Sequence, residues 1–283
     1  MNKTCILTDE IAQFLEQSFP GQEMVHLMSV DVPARDAVGG SGGKIKINQL
    51  PHSRFSERAH DISLPTEADF GRVFTSLARQ YSDMVVLLPA SWLTGSVAVA
   101  RRAAASLHSS LHIEVVDSES LGVGLGYLVT LAAGKAVQGA DAVTIKRYLK
   151  GMIPKVFSVF CLRNLSYLEP LGLIGKSQGI VADMLGVTQV FYANEGELVP
   201  VQKIRNARHF VESIQEFVTE FTAPLQIVFL QGGHGYHQEI RTLRERFLEE
   251  YPAVQISEHN LSLPLAALLG PQAFGLFLWE TAG

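Results

Sequence analysis

Residues 91 to 96, Ser-Trp-Leu-Thr-Gly-Ser, place three hydroxyls in six positions. Before them, residues 83 to 89 form an apolar, β-branched run that reads as a buried strand. After them, residues 97 to 107 are Ala-rich with Arg101 and Arg102, a good helix former. A strand that breaks at small polar residues and opens a helix makes an anion site. The first helical amides have no partner within the helix, and the dipole there favours negative charge. The layout recurs at 112 to 137: a strand, then Ser118 and Ser120, then Gly122, Gly124 and Gly126 opening a second helix. Two parallel strands would aim both hydroxyl-bearing turns at one sheet edge, where open α/β sheets bind ligands. Helix capping, stabilising by ~1 kcal/mol, accounts for any one of Ser91, Thr94 or Ser96. Three hydroxyls exceed what one cap needs, so ligand contact stands beside capping for these residues and for Ser118 and Ser120.

Other candidates are weaker. Gly122-x-Gly124-x-Gly126 lacks the spacing of a dinucleotide fingerprint and fits close helix packing. Gly39-Gly40-Ser41-Gly42-Gly43 matches a nucleophile elbow by letter, but no strand precedes it and no helix pattern follows. His234 and His237 are near neighbours without an evident third metal ligand, so no metal or cofactor is expected. Lys203, Arg205 and Arg208 cluster at a strand–helix junction, which fits a solvated face or a phosphate or acidic-partner contact.

The elements that position these groups follow from periodicity and turn residues. Strands are expected at 4–8, 23–30, 112–116, 156–162, 188–192, 198–203, 225–230, 253–257 and 274–279. Helices are expected at 10–18, 66–77, 127–137, 141–151, 175–185, 206–221 and 238–250. Thr66 with Asp69 forms a capping box, and Asn194-Glu195-Gly196-Glu197 signals a hairpin. Residues 31–60 read as a long loop, with disorder expected at 38–44. The alternation of strand and helix weakens near 150–165. This places an N-terminal parallel-sheet α/β domain at 1–155 and a C-terminal α+β domain at 156–283.

With 47% hydrophobic and 18% charged residues among 283, the chain can bury a substantial core. A net charge of −5 without a long basic run argues against nucleic acid as a partner. No stretch approaches the ~20 apolar residues of a membrane span, and the N-terminus lacks a signal-peptide pattern. Cys5 and Cys161 lie far apart and fit free thiols. A soluble cytoplasmic protein is expected.

Several strings resemble the DegV family. SWLTGSVAVARRAA is similar to that family's SSxLSGTYxSAxxAA, and VVDSESLGVGLGYLVTLAAGKAVQGA to its VxDSxxxSxGxGxxVxxAAxxxxxG. ILTDEIAQFL resembles the family's opening IVTDSxxDL and LLGPQAFG its closing H-x-GPG. Residues 164–205 resemble its second half, where a GGRIS segment precedes a hairpin and K-x-R. The resemblance implies two α/β domains that hold a long-chain fatty acid between them. It further implies presentation of the acyl carboxylate to a separate kinase, with no chemistry by the protein itself. Carried over by position, Thr94 is one head-group contact. The other aligns with Ile62, which has no donor, and the neighbouring Ser63 could substitute only if the turn rotates, with Ser96 and Ser91 beside them. Lys203 and Arg205 are the partner or phosphate contact. The sequence departs from the family pattern at Glu10, Ile62, Leu173 and Leu268, where the family has polar groups. A less polar lipid, an ester or an alcohol therefore stands beside a fatty acid as the ligand. Two rival readings also remain. One is a phosphate-handling transferase or hydrolase using Asp9 and Asp117, and the other is a ligand-free member that acts through protein contact.

Overall fold

The structure, a computed structural model, describes residues 3–33, 45–56, 61–107, 111–194, 196–233 and 235–280. The stretch expected to be disordered at 38–44, and His234, lie outside the described residues. The chain divides into two compact units, one of residues 1–31 and 63–154, the other of residues 32–62 and 155–283.

The first unit is built on four parallel strands: β1 (Thr4–Asp9), β2 (Val25–Met28), β3 (Asp83–Leu88) and β4 (His112–Asp117), in the order β2-β1-β3-β4. β1 and β3 are buried at every position, so they read as continuous apolar runs without alternation. On one face Cys5, Leu7, Met84, Val86 and Leu88 pack against Phe70 and Phe74 of α1 (Glu67–Leu77). The short α2 (Ser91–Thr94) precedes α3 (Ser96–Ala105), whose Val97, Ala100 and Ala103 complete that layer. The other face meets α4 (Gly122–Val137) and α5 (Ala142–Met152). The expected capping box forms, with the Thr66 side chain taking the Asp69 N–H and the Asp69 carboxylate taking the Thr66 N–H.

The second unit carries β5 (Val156–Leu162), α6 (Lys176–Met184), β6 (Thr188–Asn194), β7 (Glu197–Ile204), α7 (Ala207–Thr219), β8 (Pro224–Gln231), α8 (His237–Glu250), β9 (Gln255–Asn260), α9 (Leu263–Leu269) and β10 (Phe274–Glu280). Its six strands run β7-β6-β5-β10-β8-β9 and are antiparallel except for β8 and β9, which α8 connects. Phe210, Ile214 and Phe217 of α7 and Ile240, Leu243 and Phe247 of α8 cover one face of this sheet.

Three expectations are revised. A single cut near 155 misses that residues 32–62 belong to the second unit. There Asn164 Nδ2 donates to His52 O (2.6 Å), Arg54 N to Ser166 Oγ (2.8 Å) and Tyr167 Oη to Pro51 O (2.7 Å). Residues 10–18 are turns and bends, not a helix. The N–H groups of Ile11 and Ala12 turn back onto Asp9, and that of Gln13 goes to Gly122 O at 2.9 Å, so no helical ladder can start. The last parallel strand begins two residues later than the expected 253, and α9 is not among the expected helices. Ser262 caps α9 through the Leu265 N–H, with proline in its first turn.

Candidate functional site

The carboxyl ends of β1, β3 and β4 share one edge of the first sheet, as a parallel sheet requires. β3 leads directly into α2. Gly95 then adopts φ +64°, a left-handed turn that ends α2 and starts α3 on a new axis. No side chain caps α3 at its Gly95 N-cap. Thr94 is half-buried, and its oxygen accepts the Ser96 N–H at 3.4 Å. That leaves the Thr94 O–H available as a donor. Ser96, the first residue of α3, is buried.

Ser91 is exposed, but its hydroxyl donates to Asp117 Oδ2 at 2.5 Å, and its N–H donates to the same oxygen at 3.3 Å. Asp117 Oδ1 accepts the Glu119 N–H at 2.9 Å. Asp117 therefore ties the turn after β3 to the turn after β4, which accounts for it structurally. Ser118 Oγ donates to Ser120 O and accepts the Ser120 N–H, closing the second turn. Between these serines Glu119 has φ +52°, a left-handed conformation uncommon outside glycine. Ser63 is exposed, and its N–H and C=O are both paired with Asp31. Its side chain alone is left to meet a ligand.

Among the described residues of this unit, four polar atoms are buried without partners: Thr8 Oγ1, Asp9 Oδ2, Trp92 Nε1 and Ser120 Oγ. Thr8 and Asp9 end β1, Trp92 lies in α2 just after β3, and Ser120 lies in the turn after β4. Burial pushes the Asp9 carboxyl up to about 7, with Glu10 adding to the rise and the Ile11 N–H opposing it. Neither Thr8 nor Trp92 stands out in the sequence. One reads as a strand residue and the other as an apolar one, and no spacing marks either.

In the second unit Lys203 and Arg205 are exposed at the end of β7 and the turn after it. The Arg205 N–H donates to His209 Nδ1 at 3.4 Å, and Arg208 pairs with Glu212 at 2.7 Å. Lys203 stands on the rim of an apolar pocket of about 570 Å³ between α6 and the β6–β7 hairpin. Leu173, where the family pattern has arginine, lines that pocket. Leu268, where it has histidine, is buried in α9, and Ile62 is half-buried. Among the described residues no group of three or more His, Cys, Asp or Glu is placed to hold a metal, and no helix is long and apolar enough to cross a membrane.

A family model described as "Uncharacterised protein, DegV family" matches residues 3–281. A DegV domain-containing protein of Caldanaerobacter subterraneus subsp. tengcongensis is 24% identical over 297 residues, covering 99% of this chain and 100% of that protein. Another, from Staphylococcus aureus strain COL, is 20% identical over 279 residues and covers 98% of each. The fold is similar to that of a fatty acid binding DegV family protein from Streptococcus agalactiae, with a TM-score of 0.82 at 18% identity over 99% of this chain and 100% of that one. It is also similar to the Streptococcus pneumoniae Fatty Acid Kinase B3 protein loaded with linoleic acid, with a TM-score of 0.77 at 22% identity over 98% and 99%.

Proposed function

Because this chain belongs to the DegV family, we propose that it binds a long-chain fatty acid or a related lipid, with the head group at the carboxyl edge of the first sheet. The observation that carries this reading is the pairing of the Thr94 hydroxyl with the uncapped start of α3. A carboxylate is acceptor-only and needs donors when it leaves water. Thr94 supplies an O–H, and the positive end of the α3 dipole favours the charge. The exposed Ser63 hydroxyl is a further donor, and buried Ser96 opens the helix. Ser91, already bonded to Asp117, shapes the turn. Proteins of this fold described as fatty acid binding, one of them loaded with linoleic acid, support the ligand class.

On this reading the protein is a carrier in the cytoplasm and performs no chemistry. Lys203 and Arg205 form the contact for a separate kinase that phosphorylates the bound acid. Asp117, which the catalytic reading needed, is occupied in holding two turns together. Native mass spectrometry of protein taken from cells and then supplied with oleic acid tests the proposal. One acid per chain is expected at the first-unit edge. Replacing Thr94 by Val removes a hydrogen bond to a charged group, worth about 1.5–3 kcal/mol, so affinity there should fall by about tenfold or more. Unchanged affinity in the Thr94→Val, Ser63→Ala double variant would remove the head group from this edge.

A further inference from the structure

The second unit holds a polar cavity of about 710 Å³, a volume within the range of small-molecule sites. It is lined from residues 52–56, the turn after β5 and the end of α6, all of which belong to that unit. Asn164 precedes the single helical turn at Leu165–Leu168 that follows β5, and it is only 5% exposed. Its Nδ2 donates to His52 O at 2.6 Å. That bond fixes which end of the amide is which, because two carbonyl oxygens cannot share a hydrogen bond. Asn164 Oδ1 is then a buried acceptor with no partner among the described residues. Asp183 of α6 is satisfied on one side only. Its Oδ1 accepts the Ser166 N–H at 3.2 Å, while its Oδ2 is buried and likewise without a partner among the described residues.

Both residues line the cavity. A buried acceptor without a donor costs free energy, and a carboxylate oxygen costs more than an amide oxygen. Neither free oxygen holds an element in place. What both lack is a donor, and the charge on Asp183 favours a cationic one. Arg163, exposed, lines the same cavity and offers a guanidinium fork that matches a carboxylate. Phe55, Ile180 and Met184 supply apolar surface. One small molecule that carries an ammonium, a carboxylate and an apolar side chain answers all three. A fatty acid does not, because it has no ammonium for the two oxygens.

We propose that this cavity binds a free α-amino acid with an apolar side chain. Its ammonium donates to Asp183 Oδ2 and Asn164 Oδ1, and its carboxylate accepts from Arg163. Its side chain lies against Phe55, Ile180 and Met184. The inference goes beyond the lipid reading and does not rest on it: the cavity is built from the second unit alone, and its ligand has a different charge pattern.

Isothermal titration calorimetry on the full chain with L-leucine, L-methionine and L-phenylalanine tests the site. N-acetyl-L-leucine, L-leucine methyl ester and oleic acid are the controls. At least one of the three amino acids is expected to bind, one per chain. N-acetylation removes the ammonium and should weaken binding about tenfold or more. Asp183→Asn should do the same, and it keeps an oxygen for the Ser166 N–H, so the turn stays in place. Methyl esterification and the exposed-site variant Arg163→Gln should each weaken binding about threefold, as a solvent-screened ion pair does. These last arms and N-acetylation still decide the matter if Asp183→Asn does not fold. Saturation with oleic acid should leave amino-acid affinity unchanged, and Thr94→Val should weaken oleic acid alone. Absence of binding by all three amino acids up to about 10 mM would leave the two oxygens to water and overturn the proposal. Binding that ignores N-acetylation and Asp183→Asn overturns it as well, and so does displacement of the amino acid by oleic acid.

Discussion

Two glycines on α4 should respond to alanine with opposite signs. Glycine inside a helix costs ~1 kcal/mol relative to alanine, so Gly→Ala ordinarily stabilises. At Gly134 nothing lies within 4 Å of the place a Cβ would take. The full gain of ~1 kcal/mol is expected there. At Gly126 the same carbon would sit 2.0 Å from Gln13 O and 2.6 Å from Gln13 C. Both are backbone atoms that cannot rotate aside. Overpacking of this kind costs about 1–3 kcal/mol or more, which exceeds the helical gain. The helical gain is common to both, so the two variants should differ by the overpacking cost, about 1–3 kcal/mol or more. Gln13 N also donates to Gly122 O at 2.9 Å, so relief of the clash would move the loop after Asp9 off the start of α4. Urea unfolding in a Trp279→Phe background, where Trp92 fluorescence reports the first unit, measures both variants. Gly126→Ala as stable as Gly134→Ala would refute the close approach of loop and helix that shapes the sheet edge.

Two further outcomes follow from burial. The Asp9 carboxyl sits at about 7 in the folded chain against an ordinary value of 3.8, so between those values the folded state binds a proton that the unfolded state lacks. Stability of the first unit should therefore fall as pH rises from about 4 to about 7, by up to about 1.4 kcal/mol per pH unit, and level off above. Unfolding free energies measured across that range for Asp9→Asn should lose this slope; retention of the full slope would assign it to another group. Burial also pushes the Cys5 thiol up to about 12 and the Cys161 thiol higher. Neither should react with a disulfide reagent at about pH 8 until the unit that holds it unfolds, so labelling faster than unfolding would contradict their placement.

Much of the chain was legible from local signals. The capping box at Thr66 and Asp69, the Asn206 cap on α7 and the hairpin ending near Asn194 depend on groups within a few residues of each other. The apolar runs of β1 and β3 mark buried parallel strands by composition, and their small polar ends mark turns. Resemblance to the DegV family extended this to the whole chain, since ordered motifs report a shared fold that periodicity cannot reach.

Other features were settled by distant partners. Residues 10–18 have a helical pattern, but Asp9 and Gly122 take their backbone groups. Ser91, Thr94 and Ser96 are alike in sequence. Only the approach of Asp117 from the next strand separates a bonded serine from a threonine that keeps its donor. The loop 32–62 joins the second unit through His52, Arg54 and Pro51, whose partners lie more than a hundred positions away in the chain. Sequence determined which segments become strand, helix and turn, because those choices are made by near neighbours. Tertiary structure decided which hydroxyls stay free and which lysine meets an apolar pocket, because a side chain's partners are set by the fold that brings them together.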